Sequence, residues 1–341
     1  MQVREKPSLR GLNSFSIEAR AQRAVTIETE DDLASLPPFD PRSDLLLGGG
    51  SNVLLTTDVP GTVFLNRIRG RAIVAERDGQ AWVEVGAGEN WHELVRWSLD
   101  QNLCGLENLS LIPGLAGGAP IQNIGAYGVE LSAVLERLTA WDWHRRDWNR
   151  FARADCGFAY RDSRFRSAEP DRYLITSLRL RLSREFSARL DYAGLPEELA
   201  AAGVLNATAR DVSDAVIRLR RRKLPDPAEY GNAGSFFKNP VVAEETAAGL
   251  LNEYPELPAR PAGEGRVKLS AAWMIERCGC KGQRRGDAGV SQRHTLVLIN
   301  HGAATGRDVL ALAESIKTRV ADRFGVALET EPRILAFPEQ A

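Results

Sequence analysis

Leu111-Ile-Pro-Gly-Leu-Ala-Gly-Gly-Ala-Pro-Ile-Gln-Asn-Ile-Gly-Ala-Tyr-Gly128 holds five glycines and two prolines among apolar residues, with Gln122, Asn123 and Tyr127 as its polar groups. Glycine's backbone freedom and proline's missing N–H exclude a plain helix or strand over this length. Long apolar glycine-rich segments in compact domains are more often functional than structural. The composition suits close backbone approach to a large flat ligand, with Gln122 and Asn123 orienting it by hydrogen bonds. A compact structural loop is the alternative reading.

Two further glycine segments lie on either side. Upstream, Leu47-Gly-Gly-Gly-Ser-Asn52 lets consecutive backbone N–H groups turn toward an anion, with Ser51 and Asn52 adding side-chain donors. It suits a pyrophosphate, although for this motif standing alone an ordinary tight turn is the preferred reading. No Gly-Lys-Ser/Thr follows, so it is not a Walker loop, and the glycine spacing of the Rossmann fingerprint is missing. Downstream, Gly231-Asn-Ala-Gly-Ser-Phe-Phe-Lys-Asn-Pro240 sets the hydroxyl of Ser235 and the cation of Lys238 beside glycines. Just before it, Arg218-Leu-Arg-Arg-Arg-Lys-Leu-Pro-Asp-Pro227 ends a helical run in clustered positive charge and a proline stop. Together they read as anion recognition leading into a reactive serine, or as a basic helix end that serves the helix dipole and is followed by a turn.

The whole chain frames these segments. Its 341 residues predict two or three domains, each able to bury a core. A formal charge of −1 argues against a nucleic-acid scaffold and leaves a small anion as the expected partner. Met1-Gln-Val-Arg-Glu-Lys-Pro7 lacks the apolar core of a signal peptide, and no apolar run is long enough to span a bilayer, so the expected location is the cytoplasm. Cys104, Cys156, Cys278 and Cys280 fit a reducing compartment, and the Cys278-Gly-Cys280 spacing gives no metal site.

Periodicity predicts a mixed α and β chain. Asp44–Leu47 and Val53–Leu55 read as strands flanking the first glycine loop, with further strands at Thr62–Leu65, Ala72–Ala75 and Ala81–Val85. Asn90-Trp-His-Glu93 has the cap-plus-acid spacing of a helix start. Leu178, Leu180 and Leu182 alternate with Arg179 and Arg181 as in a half-exposed strand. Val212, Ala215, Val216 and Leu219 recur at helical spacing, and Leu224-Pro-Asp-Pro227 reads as a domain boundary. Beyond it come a helix after Ser270, a strand at Leu296–Ile299, and a helix carrying Val309, Leu312, Ile316, Val320 and Phe324 before Gly325. In Cys156-Gly-Phe-Ala-Tyr-Arg-Asp-Ser163, Arg161 and Asp162 form a solvated pair unless buried, in which case Arg161 could stabilise developing negative charge. Glu331 gains interest only where the chain returns it to the cleft of Ser235.

Taken in order, Gly48-Gly-Gly-Ser-Asn52, Ile112-Pro-Gly114, Ile121-Gln-Asn-Ile-Gly-Ala-Tyr-Gly128, Tyr160-Arg-Asp-Ser163, Lys223-Leu-Pro-Asp-Pro227 and Gly231–Pro240 resemble the UDP-N-acetylenolpyruvoylglucosamine reductase (MurB) family. Lys268-Leu-Ser-Ala-Ala-Trp-Met-Ile-Glu276 and His294–Asn300 extend the resemblance over nearly the whole chain. It implies an α+β fold: an FAD-binding module of the vanillyl-alcohol-oxidase type made of two α+β subdomains, here 1–71 and 72–226. A smaller α/β substrate-binding domain, 227–328, follows, and a C-terminal segment, 329–341, returns to the active site.

The resemblance also implies the chemistry. NADPH reduces bound FAD, and N5 of the flavin then delivers a hydride to C3 of UDP-N-acetylglucosamine enolpyruvate, giving UDP-N-acetylmuramate for peptidoglycan synthesis. Charge left at C2 needs stabilisation and a proton from a positioned acid. Ser235 matches the family's proton donor, and Arg161 and Glu331 match the pair that stabilises the intermediate. Gly48, Gly49, Gly50, Ser51 and Asn52 resemble one FAD-contacting loop. Pro113, Gly114, Gly117, Gly118, Gln122, Asn123, Gly125, Tyr127 and Gly128 resemble the other. Lys223 and Asn239 match positions holding the substrate diphosphate, Lys238 and Lys268 are placed with them, and Tyr192 looks like the tyrosine of the loop that closes over substrate in one subtype. A monomer with no metal, nucleic-acid or membrane partner is the expectation. Pro332 stands where the family usually has valine, Leu115-Ala116 and Ala193 also depart from its pattern, and Pro332 bears on how Glu331 is aimed. A different flavin oxidoreductase on the same scaffold and a nucleotide-sugar-binding protein without redox activity are the competing classes.

Overall fold

The computed structural model describes residues 1–338; residues 339–341 of the expected C-terminal segment lie outside the described residues. Five strands open the chain: β1 (Gln2–Glu5), β2 (Ala21–Ile27), β3 (Leu45–Leu47), β4 (Val53–Leu55) and β5 (Val59–Asn66). Four of them form one sheet in the order β1-β2-β5-β3, in which β5 runs parallel to both β2 and β3. Strands β3 and β4 flank the Gly48–Asn52 loop, as the apolar runs on either side predict.

Next come β6 (Arg71–Arg77), β7 (Gln80–Gly86) and α1 (Trp91–Asp100), whose N-cap Asn90 accepts from the Glu93 N–H. A short hairpin, β8 (Gly125–Ala126) with β9 (Val129–Glu130), closes the long glycine loop. Strands β10 (Leu135–Asp142), β11 (Asp147–Ala152) and β12 (Tyr173–Ser183) complete an antiparallel sheet in the order β11-β10-β12-β7-β6. The alternation in β12 places Leu178, Leu180 and Leu182 in the core, while Arg179 turns out and meets Glu84 at 2.7 Å. Trp91, Leu94, Val95 and Leu99 of α1 bury against Val83 and Val85 of this sheet. Helices α2 (Leu195–Ala201) and α3 (Ala209–Lys223) pack through Leu195, Leu199, Val212, Val216 and Leu219.

The last third alternates small elements: β13 (Val241–Ala243), α4 (Glu244–Glu253), β14 (Ala259–Pro261), β15 (Arg266–Leu269) and α5 (Ala271–Arg277), then β16 (Arg284–Arg285), β17 (Ala288–Val290), β18 (Leu298–Asn300), α6 (Gly306–Phe324) and β19 (Arg333–Leu335). They form two three-stranded sheets, β13-β15-β14 and β16-β17-β18. The expected strand at Leu296–Ile299 begins two residues late, because Leu296 and Val297 pair instead with Ser235 and Phe236. Helix α6 buries the five apolar residues its spacing predicts, starts on a Thr305–Asp308 capping box and ends at Gly325 in the left-handed region.

Three contacts make these parts one body. Strand β19 pairs in parallel with β4, so residues 333–335 return to the N-terminal unit. Buried apolar residues between Leu9 and Leu65 join those between Phe236 and Leu335 in one core. Phe64 and Phe39 of the first unit pack on Trp143, just past β10 of the second sheet, with centroids 5.0 and 5.5 Å apart. Phe236 lies fully buried in the first of these cores, against Phe15 at 6.1 Å and Phe237 at 5.3 Å. Phe236→Ala is expected to cost about 3–5 kcal/mol, the usual penalty for emptying a buried aromatic site. Denaturant unfolding of variant and parent checks it, and a loss under 1 kcal/mol would contradict this packing.

Candidate active site

Between the glycine loops, the end of α3 and the returning C-terminal segment lies a cleft of about 1110 Å³. Its volume is at or above the roughly 300–1,000 Å³ of ordinary small-molecule sites. Gly48, Gly49, Gly50, Ser51 and Asn52 line it, as do Pro113, Gly114, Gly118, Gln122 and Gly125. Arg161, Ser235 and Glu331 line it too.

The two glycine loops touch directly. A Cβ on Gly49 would stand 2.7 Å from the Gly114 Cα, so a side chain there would push the loops apart. Ser51 donates from Oγ to the Pro113 carbonyl at 3.2 Å, and Arg67 Nη1 donates to the Gly48 carbonyl at 3.1 Å. Asn52 bonds to Gln122, and also donates to the Glu331 carbonyl at 3.3 Å.

Ser235 and Glu331 meet in the cleft through backbone pairing. The Phe236 N–H donates to the Leu296 carbonyl at 2.7 Å, and the Phe236 carbonyl accepts from the Glu331 N–H at 2.8 Å. Pro332 costs nothing in this arrangement. The N–H groups on either side of it, those of Glu331 and Arg333, are bonded to Phe236 and Asn52, and proline has none to satisfy.

Arg161 is no solvated partner of Asp162. Its Nε lies 2.9 Å from Glu331 Oε1, with the two side chains 19% and 13% exposed, although the Nε–H is not aimed for a hydrogen bond. Nη2 donates to the Gly125 carbonyl at 2.7 Å, and a Cβ on Gly125 would come within 3.0 Å of Nη1. Arg161 also has φ of 54°, the left-handed region that a side chain enters only when its surroundings hold it there. Burial pushes the Glu331 carboxyl above its ordinary range, against the lowering pull of Arg161, Arg166 and Lys238. The carboxyl is thus held between desolvation, which favours its protonated form, and the nearby cations, which favour its charged form.

Several expected binding residues stand elsewhere. Gly117, Asn123, Tyr127 and Gly128 do not line the cleft. Asn123 spends its side chain on Glu130, at 2.8 Å, and on the Ser132 N–H, at 3.0 Å. Tyr127 is buried with α2 and α3 and meets Tyr192 edge-on at 4.8 Å, because its φ of 49° turns it from the glycine loop toward that helix pair. Lys223 does not line the cleft either; it is a charged neighbour of His294. Lys238 pairs with Glu329 at 3.1 Å, and the Asn239 side chain accepts from the Ala271 N–H at 3.0 Å. Lys268 Nζ stands 4.2 Å from the centre of the Tyr160 ring. Among the described residues no group of three or more His, Cys, Asp or Glu is placed to hold a metal.

The structure adds Arg166 and His92 to the site and picks out two arginines of the basic run at 218–223. Arg166 donates to Gln122 at 3.1 Å and to the Glu331 carbonyl at 2.9 Å, tying the second sheet's loop to both halves of the site. Arg220 and Arg221 line the cleft, whereas Arg218 and Arg222 turn away to Glu198 at 2.9 and 2.7 Å. Arg220 Nε is buried with no hydrogen-bond partner among the described residues. Helical phase gave the signal for it, since Arg220 continues the Val212 and Val216 row at a spacing of four. A cleft-lining arginine with its Nε buried and unbonded, beside two glycine loops, fits an anionic, phosphate-bearing cofactor. Nothing in the motifs marks His92, whose Nδ1 accepts from the Leu111 N–H at 3.0 Å and so holds a non-glycine residue at φ of 58°.

That bond needs a neutral imidazole. Burial, then the charges of Arg96, Arg221 and Arg220, hold His92 below its ordinary value, with Glu93 opposing them. Its contribution to stability is therefore full above about pH 6.5 and is lost as pH falls through the lowered folded value. His92→Ala is expected to lower unfolding free energy by about 1–2 kcal/mol at pH 7.5 and to make the acid-side fall in Tm shallower. Thermal melts across pH 5–8 check both; a parallel curve for the variant would remove His92 from the acid response.

Known proteins match this arrangement. Residues 22–144 match the FAD binding domain family, and residues 226–335 match the C-terminal domain of UDP-N-acetylenolpyruvoylglucosamine reductase. The UDP-N-acetylenolpyruvoylglucosamine reductase of Xanthomonas euvesicatoria pv. vesicatoria is 48% identical over 98% of this chain and 96% of its own. That of Burkholderia mallei is 50% identical over 95% of each. The crystal structure of UDP-N-acetylenolpyruvylglucosamine reductase (MurB) from Thermus caldophilus is 26% identical, covers 99% of this chain and 100% of its own, and superposes with a TM-score of 0.68. With identity at this level over nearly the full length of both chains, this chain belongs to the UDP-N-acetylenolpyruvoylglucosamine reductase family.

Proposed function

We propose that the protein reduces UDP-N-acetylglucosamine enolpyruvate to UDP-N-acetylmuramate with NADPH, through bound FAD, in the supply of peptidoglycan precursors. The observation that carries this reading is the convergence of Ser235 with the Arg161–Glu331 pair in one cleft walled by the two glycine loops. FAD supplies the redox chemistry when bound, taking electrons from NADPH and passing them to the enolpyruvyl double bond. Gly48–Asn52, Gly114 and the buried Arg220 are the groups of this chain that would hold its phosphates. Ser235 gives its hydroxyl proton to C2 of the reduced substrate. Arg161 would meet the negative charge that gathers at the substrate carboxylate, and Glu331, 2.9 Å from its Nε, orients it. The three roles rest on different stretches, since Arg161 precedes the second sheet's last strand while Ser235 and Glu331 belong to the C-terminal part.

The division into 1–71, 72–226, 227–328 and a returning tail belongs to the same proposal, as does action in the cytoplasm as a monomer. A nucleotide-sugar substrate, NADPH and four free cysteines support the location. Among the described residues no helix is long and apolar enough to cross a membrane.

Purified protein is expected to be yellow and to bleach on anaerobic addition of NADPH; a colourless protein without FAD affinity sinks the proposal. Ser235→Ala is expected to leave that bleaching nearly intact and to slow reoxidation by the enolpyruvyl nucleotide roughly 10²–10⁴-fold, the usual worth of a positioned proton donor. Stopped-flow absorbance of the flavin separates the two halves. Equal loss in both would make Ser235 structural.

A further inference from the structure

Arg260 on β14 and Lys268 on β15 are direct cross-strand partners. Directly opposed residues share a sheet face, and like charges so placed repel. Among the described residues neither makes an ion pair with a carboxylate. Each instead stands over a tyrosine of the second-sheet unit. Arg260 lies 5.9 Å from the Tyr192 ring centre and Lys268 lies 4.2 Å from that of Tyr160. Tyr160 also carries Arg161, at 5.4 Å, on its ring. Tyr192 in turn packs on the buried Tyr127.

These contacts draw a line through space: Arg161, Tyr160, Lys268, Arg260, Tyr192. Its inner end is the Arg161–Glu331 pair, and its outer end is exposed, with Tyr192 37% accessible. Three cations and two aromatic faces make up this line, and Glu331 pairs only with the innermost cation. A ligand that fits this line carries one negative group at its inner end and a second, more highly charged group further out, at the Lys268–Arg260 pair. An enolpyruvyl nucleotide sugar has that pattern, with a carboxylate at one end and a diphosphate beyond it.

The geometry points to Arg260 as a substrate-anchoring residue that, with Lys268, holds the diphosphate and keeps Tyr192 over it. The inference rests on the activity proposed above, and it assigns a role to a side chain outside every motif in the sequence. When the diphosphate sits between the two cations, their mutual repulsion becomes attraction to a shared anion. The Arg260 guanidinium, planar and weakly hydrated, can bond a phosphate oxygen with its edge while its face stays on the Tyr192 ring. Removing it loses both the charge and the contact that keeps the tyrosine in place.

The test uses flavin-loaded protein titrated with UDP, UMP and uridine, followed by calorimetry or by the flavin absorbance change. Arg260→Ala is expected to weaken UDP about tenfold, the equivalent of about 1.4 kcal/mol. It should weaken UMP less and leave uridine unaltered, while Arg260→Lys recovers most of the UDP affinity. In turnover, KM for the enolpyruvyl nucleotide should rise by more than kcat falls, and the difference should shrink with added salt. Unaltered UDP affinity in Arg260→Ala overturns the assignment, and so does equal weakening of UDP and uridine, which would mean that the substitution acts through the fold of the sheet. Wild-type protein that does not consume NADPH with the enolpyruvyl nucleotide overturns the proposed activity, whereas wild-type turnover with an indifferent Arg260→Ala overturns this inference alone.

Discussion

The backbone of one residue holds the site together. Phe236 donates its N–H to Leu296 and accepts at its carbonyl from Glu331, and its ring is fully buried. Ser235 precedes it and Glu331 is bonded to it, so the spacing of the two groups is set by backbone rather than by flexible side chains. Hydrogen bonds of this kind contribute modestly to stability but fix direction closely. The apolar anchor supplies what the bonds do not. With Phe15, Phe236 and Phe237 in contact, the segment that carries Ser235 cannot slide along its neighbours without exposing aromatic surface.

Charge in the cleft follows from the same placement. The whole chain is nearly neutral, yet Arg161, Arg166, Arg220 and Arg221 crowd one cavity. Arg218 and Arg222, from the same helix, spend their charge on Glu198, leaving the cleft-facing arginines of that helix for a ligand. An arginine drawn out of water without an anion to meet it is costly, and Arg220, whose Nε is buried and unbonded among the described residues, is the clearest case. Glu331 meets Arg161 at ion-pair distance; burial raises its carboxyl, and Arg161, Arg166 and Lys238 pull the other way.

Much of this was legible in the residues. The glycine runs at 48–50 and 114–128 gave loops because no other conformation suits them, and α3 and α6 appeared where apolar spacing and caps place them. Local patterns reached no further than their own neighbourhood. The parallel pairing of β19 with β4 joins residues about as far apart as the chain allows, and the alternation of three residues carries no record of its partner. Tyr127 sits within a ligand-type motif, but a left-handed backbone turns its ring into the packing of α2 and α3. Arg166 and Arg260 belong to no motif, and His92 only fills a position of the Asn90–Glu93 helix start. Their roles come from what folding sets beside them, a carbonyl of Glu331, the Leu111 N–H and the Tyr192 ring.

The first unit acts as the hub between the other two. It shares an apolar core with the C-terminal part, and through Phe39 and Phe64 it packs on Trp143, just past β10 of the second sheet. The C-terminal part and the second-sheet unit meet differently, through Arg161 with Glu331, Arg166 with the Glu331 carbonyl, Arg333 with Asp171, and the two cation–ring contacts at Tyr160 and Tyr192. Dry contacts thus fix two of the three junctions and polar contacts form the third. Polar contacts exchange readily with water and with charged ligands, whereas buried apolar ones do not. The seam that can open without unfolding the molecule is therefore the seam that carries Arg161 on one side and Ser235 with Glu331 on the other. An active site divided across a polar seam and anchored on a common apolar hub lets a large anionic ligand enter, yet returns both halves to one register when it leaves.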